Sequence, residues 1–278
     1  MRRLLMACGL GVGAALAQQP QNPSPMVEHT RAHPRLKEVS PPGRREALEL
    51  GGLFIPRGLR PGTLLVFFHG GTWLPELAGA RNRMAVVSVQ AGSGSATYAR
   101  LFTDEARFPA LIKEAEAKAG FRFSRVILGG WSAGCGAVRQ ILRSADGYAR
   151  ASGVVLIDGI HTDYENGRPG PQESQLTPEN LAIWEKYFRG AMAGRKSAVV
   201  THSEIFPGTF ASTTETSDYL VRVLDLRRRA VLKWGPMGTQ QVSEVRAGKL
   251  LIMGFAGNSA PDHVDQLHSL PEYLKLIK

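Results

Sequence analysis

Apolar residues in this chain come in short unbroken runs that close on glycine or a polar residue, and the stretches between several of them follow helical spacing. TLLVFFHGG (63–71), MAVVSVQAG (84–92), RVILGG (125–130), SGVVLIDG (152–159), KSAVVTHSEI (196–205) and GKLLIMGFAG (248–257) read as buried strands. ALELGGLFIP (47–56) alternates around a glycine pair and predicts a β-hairpin at a sheet edge. Helical patterns fill 104–120, with Pro109 near the start and glycine at the end, then 137–145, 177–194, 212–226 and 263–278. Thr177 followed by Pro178 predicts a capped start, and Ser212 with Glu215 predicts a capping box. Strands alternating with helices predict an α/β fold: a mostly parallel central sheet with helices on both faces. In such sheets, sites form at the carboxyl ends of the strands. His69, Ser132, Asp158, Glu204 and His263 all stand there.

The outer stretches have other patterns. Residues 1–17 combine Arg2-Arg3, an apolar run and Ala15-Leu16-Ala17, the layout of a secretory signal peptide too short to span a membrane. A secreted or periplasmic address is therefore expected, with no stable membrane span. A lipoprotein signal ending at Cys8 is the lesser alternative. Residues 18–43 are rich in proline and glutamine and predict a flexible tail, leaving 44–278 as the folded unit, with 161–190 as a possible cap. Cleavage after Ala17 would leave Cys135 as the sole cysteine, which excludes a disulfide-stapled scaffold. The net charge of +10 falls to +8 without Arg2 and Arg3 and suits an anionic surface or polymer. No nucleic-acid motif surrounds the one dense basic run, Arg227-Arg228-Arg229, which reads as solvated surface.

Candidate chemistry centres on RVILGGWSAGCG (125–136). A strand runs into Gly130-Trp131-Ser132-Ala133-Gly134 and then into a helix, the pattern of a nucleophile elbow. His69-Gly70-Gly71 closes an earlier strand, and an acid and a histidine follow Ser132 in chain order. Together these motifs resemble the α/β-hydrolase fold over about residues 44–278. The resemblance implies a serine hydrolase acting on a small-molecule or polymeric ester, with no cofactor and no metal. It also implies an oxyanion hole from the amides of Gly70, Gly71 and Ala133, although Thr72 replaces the third glycine of the commonest lipase loop. His69 would hold that loop, and Trp73 and Trp131 would flank the nucleophile as substrate contacts or as packing.

His263, in a loop after the last strand, is the expected base, with His268 as its alternative. Asp158 is the expected acid because it directly ends a strand, with Glu204 on the next strand as its alternative. Tyr164 and Trp184 would be apolar contacts of the cap. Other readings stay open. The same residues could cleave an amide or peptide bond. Asp158, His161, His202 and Glu204 could hold a divalent ion for a metal-assisted hydrolase, although no recognised ligand spacing joins them. A non-catalytic binding protein could also keep this fold.

Overall fold

The computed structural model describes residues 35–59, 62–170 and 174–278; residues 1–17 and most of the expected tail lie outside them. Its centre is one ten-stranded sheet in the order β1-β2-β4-β3-β5-β6-β7-β10-β9-β8. The strands are β1 (Gly43–Ala47), β2 (Gly52–Pro56), β3 (Thr63–Phe68), β4 (Ala85–Val89), β5 (Arg125–Trp131), β6 (Ala151–Ile157), β7 (Ser197–His202), β8 (Arg229–Trp234), β9 (Gln240–Ala247) and β10 (Leu250–Phe255). From β4 across to β10 every neighbouring pair is parallel. The edges are antiparallel: β1 and β2 form the expected hairpin, while β9 and β8 extend the far side. That far extension offers only the short apolar run Ala230-Val231-Leu232 to announce it. The burial of β8 is slight, and Leu232 and Trp234 on it are 78% and 74% exposed.

Two-sided burial explains why the central strands are mostly apolar, with Ser88 on β4 and Ser197, Thr201 and His202 on β7 as buried polar exceptions. Along β3, Leu64, Val66 and Phe68 enter one core cluster while Leu65 and Phe67 enter the other. The first cluster packs under α3 (Arg107–Ala119), α4 (Cys135–Arg143), α6 (Ala182–Met192) and α7 (Thr213–Val223). The second packs under α1 (Trp73–Asn82), α8 (Ala260–His268) and α9 (Leu270–Leu274). Fully burying an aliphatic or aromatic side chain of this size contributes about 1.5–3 kcal/mol. Two short helices, α2 (Ser95–Arg100) and α5 (Ala145–Arg150), complete the set.

Several local expectations are changed by packing. The capping box of α7 forms, with Ser212 and Glu215 bonded to each other's ends. Thr177 makes no side-chain cap; a 3-10 turn over 178–180 intervenes, and α6 starts only at Ala182. The closing helix is broken at Ser269 into α8 and α9, and α8 begins early enough to contain His263 in its first turn. Residues 35–43 also make contacts with later residues. Arg35 pairs with Asp265 at 2.7 Å, and the carbonyls of Pro41 and Pro42 accept bonds from Arg45 and from the Arg57 amide.

Candidate active site

The order β4-β3-β5 places successive connections on opposite sides of β3, so a crevice opens at the carboxyl ends of β3 and β5. His69 leaves β3 there and Ser132 leaves β5. Ser132 has φ 49, a left-handed conformation unusual for a residue with a β-carbon. The turn holds because its glycines admit close backbone. A β-carbon on Gly134 would lie 2.0 Å from the Phe68 carbonyl oxygen, and one on Gly130 would lie 2.7 Å from the Cys135 amide nitrogen. A 3-10 turn over 132–134 then leads into α4, so the Ala133 amide stands at a helical start. Cys135 is buried, and burial pushes its thiol far up out of the reactive range.

Asp158 leaves β6 with φ 44 and is almost fully buried. Its Oδ2 lies 2.7 Å from His263 Nδ1 and accepts the Ser203 hydroxyl at 2.7 Å. Its Oδ1 accepts the Ser203 amide at 2.9 Å and the Thr213 hydroxyl at 2.5 Å. Burial alone would raise the carboxyl pKa, but the bonds from His263, Thr213 and Ser203 outweigh it and hold it at about 2. The carboxylate can only accept, so Nδ1 of His263 carries the proton and Nε2 is left as an acceptor.

Neither alternative partner reaches this pair. The Glu204 carboxylate is spent on the Gly257 amide at 3.3 Å, while the Glu204 amide donates to the Gly257 carbonyl. His268 stands in the last turn of α8, its ring edge against Trp73. Asp158, His161, His202 and Glu204 do not converge either. His202 Nε2 accepts from Arg228 at 2.8 Å and its Nδ1 lies 3.0 Å from the Thr214 hydroxyl. Among the described residues no cluster of histidine, cysteine or carboxylate side chains could hold a metal ion.

Trp131 ties the elbow to His263. Its indole N–H donates to the His263 carbonyl at 3.0 Å, and its ring lies 4.6 Å from the His263 ring and stacks on His69 at 5.0 Å. The His69 Nδ1 meets the Tyr98 hydroxyl at 3.0 Å, which also accepts the Ala91 amide. Burial, and then His263, lower the His69 pKa, so the ring is a neutral brace for the loop. In that loop Gly71 is exposed, and its amide is bonded to the Gln90 side chain at 3.3 Å. Gly70 instead packs on Trp131 and Leu267. A cleft of about 380 Å³ opens beside Ser132 and Ala133, walled by Ser95, Arg139, His161, Asp163, Asn180 and Phe210. Trp73 and Trp131 do not line it; both are half-buried and pack against the second core cluster. Trp184 is buried in the first core cluster because α6 packs on the sheet, and Tyr164 is buried in the same cluster with its hydroxyl donating to Glu215 at 2.9 Å.

A serine on a left-handed strand-to-helix turn, a glycine loop after the neighbouring strand, and a buried Asp–His pair from two later strand ends occupy one edge of this sheet. The fold is that of the α/β hydrolases. No protein-family model and no curated protein matches the sequence. Several solved α/β-hydrolase structures can be laid on the chain. An acetyl xylan esterase from Aspergillus awamori has 14% identity and a TM-score of 0.46, covering 85% of this chain and 97% of its own. A poly(3-hydroxybutyrate) depolymerase from Bordetella parapertussis has 16% identity and a TM-score of 0.46, with 81% and 87% covered. A carboxyl esterase from Tuber melanosporum has 16% identity and a TM-score of 0.43, with 88% and 90% covered. The topology and side-chain geometry of the chain itself, not these distant likenesses, carry the functional reading.

Four contributors were not legible in the sequence: Ser203 and Thr213 around Asp158, the Trp131 bond to His263, and the Gln90 bond to Gly71. Ser203 and Thr213 belong to common helix-start and strand-end contexts, and only the fold turns them toward a buried carboxylate.

Proposed function

We propose that this protein is a serine hydrolase that cleaves a carboxylic ester. The observation that carries the reading is the 2.7 Å contact of His263 Nδ1 with the buried Asp158 carboxylate, tied through Trp131 to the strained Ser132 elbow. Ser132 Oγ attacks the ester carbonyl carbon and its proton passes to His263 Nε2. Asp158 stays ionised, fixes the tautomer and offsets the imidazolium charge. The developing oxyanion accepts from the Ala133 and Gly70 amides, the Gly71 amide being engaged by Gln90. Collapse expels the alkoxide, which takes the proton from His263. Water then repeats the sequence on the acyl-enzyme and releases the acid.

Fluorophosphonate treatment followed by mass mapping tests this directly. Ser132 should be the labelled residue. The Ser132→Ala variant should lose labelling and about a million-fold in turnover of a short p-nitrophenyl ester while remaining folded. A variant that keeps near-normal turnover would sink the assignment.

A further inference from the structure

The cleft beside Ser132 contains a cation with no ion-pair partner among the described residues. Arg139 lies on α4, seven residues beyond Ser132, or roughly 10 Å along the helix axis. Among the described residues its single hydrogen bond runs from Nη1 to the His161 carbonyl, at a long 3.3 Å. Its Nε is buried with no partner, and so is Nδ1 of His161 on the same wall. Arg150, on the next helix, shows the contrast: it pairs with Glu116 at 2.8 Å. Burial, and then Arg143 one turn on, pull the Arg139 guanidinium below its usual range. Asp163 pulls the other way, but it is exposed at the rim and outside ion-pair distance. A desolvated cation with unfilled donors is costly, and the natural compensation is an anion brought by the ligand.

We propose that this cleft binds the carboxylate of an anionic ester, with Arg139 as its counter-charge and Ser132 attacking the ester carbonyl of the same molecule. The inference rests on the serine-hydrolase reading and names its substrate class. The guanidinium fork is suited to a carboxylate, and side chains on a helix lean toward its N-terminus. The lean shortens the distance from Arg139 to Ser132, so a substrate with about four to six carbons between the two carboxyl groups spans it.

Two matched pairs of esters test the idea. One pair carries the charge on the acyl side: the mono-p-nitrophenyl ester of adipate against p-nitrophenyl hexanoate. The other carries it on the leaving side: aryl butyrates whose phenol bears a carboxylate or a carboxamide. The wild-type protein should prefer the anionic member of one pair by about 10- to 100-fold in kcat/KM, mainly through KM, as for a hydrogen bond to a charged group. Arg139→Gln should bring that ratio close to one, and Arg139→Lys should restore part of it. Should Arg139→Gln fail to fold, inhibition of the wild type decides: free adipate should compete at concentrations where adipamide does not. Equal or reversed preference in both pairs, or a ratio unchanged in Arg139→Gln, overturns the inference. If Ser132 takes the fluorophosphonate while the ratios stay flat, this inference alone falls. If Ser132 is unlabelled and no ester is cleaved, the serine reading falls and takes this inference with it.

Discussion

Ser132, Asp158 and His69 share a left-handed backbone, with φ 49, 44 and 72, at the carboxyl ends of three adjacent parallel strands. Each such residue costs of order 1–3 kcal/mol, which the surrounding packing must offset. For Asp158 the offset is visible: two hydroxyls, one amide and one imidazole converge on a single carboxylate. Removing the charge while keeping the shape should therefore harm turnover more than folding. Asp158→Asn is expected to lose about ten-thousand-fold in turnover, because the imidazole can then adopt the wrong tautomer. Glu204→Gln should lose no more than about tenfold, since it reaches the site only through the Gly257 amide. Turnover and Tm of the two variants, measured side by side, check the assignment. A crippled Glu204→Gln beside an active Asp158→Asn would move the acid to the later strand.

At the scale of elements, the unit that matters is β5, its turn and α4, clamped to α8. Gly134 is where this unit touches the end of β3. Gly134→Ala would drive a β-carbon onto the Phe68 backbone carbonyl oxygen at 2.0 Å, with no flexible side chain to yield. A cost of about 3 kcal/mol or more is expected, or roughly 6–12 °C in Tm for a chain of this size. Thermal unfolding measures it, and an unchanged Tm would contradict the elbow geometry. The clamp is the Trp131 indole on the His263 carbonyl. Trp131→Phe keeps a ring against His69 and His263 but deletes one hydrogen bond worth about 1 kcal/mol. A drop of about tenfold in kcat with Ser132 still labelled would identify Trp131 as a positioning residue. An unchanged kcat would leave it as packing.

At the scale of the whole molecule, the basic run Arg227-Arg228-Arg229 is only partly the solvated surface its composition suggests. Arg228 points inward, bonded to His202, to the Ser243 hydroxyl and to Asp218. Burial, and then the Arg228 charge, lower the His202 pKa to about 4. The folded value is below the usual 6.5, so the unfolded chain binds more protons between those limits. Stability from this group is complete above about pH 6.5 and declines as pH falls toward about 4, by about 3 kcal/mol in all. Tm should accordingly fall between about pH 7 and pH 4.5, before Asp158 protonates near pH 2. His202→Gln should lower Tm at pH 7 and flatten that acid slope. A slope unchanged in the variant would place the acid sensitivity elsewhere.

The sequence by itself determined the α/β alternation, the glycine-flanked Ser132, the loop at His69-Gly70-Gly71 and the shortlist of acids and histidines. These are local properties: strands buried on both faces are mostly apolar along their length, and a sharp turn against neighbouring backbone needs glycine at fixed offsets. The tertiary structure decided which shortlisted residues meet. Asp158 and His263 are 105 positions apart and touch only because β6 and β10 share a sheet. Glu204, equally placed in sequence, is turned toward Gly257 by the loop after β7. The same holds for Gly71 and for Trp73 and Trp131: each is the right residue type at the right offset, yet a neighbour remote in sequence claims its amide or ring. The antiparallel pair β8 and β9 escaped the pattern because β8 is mostly exposed and the buried positions of β9 include the polar Gln241, Ser243 and Glu244. Arg139 gave no signal at all, being one of many arginines, until the fold left it facing a cleft in which no carboxylate pairs with it among the described residues.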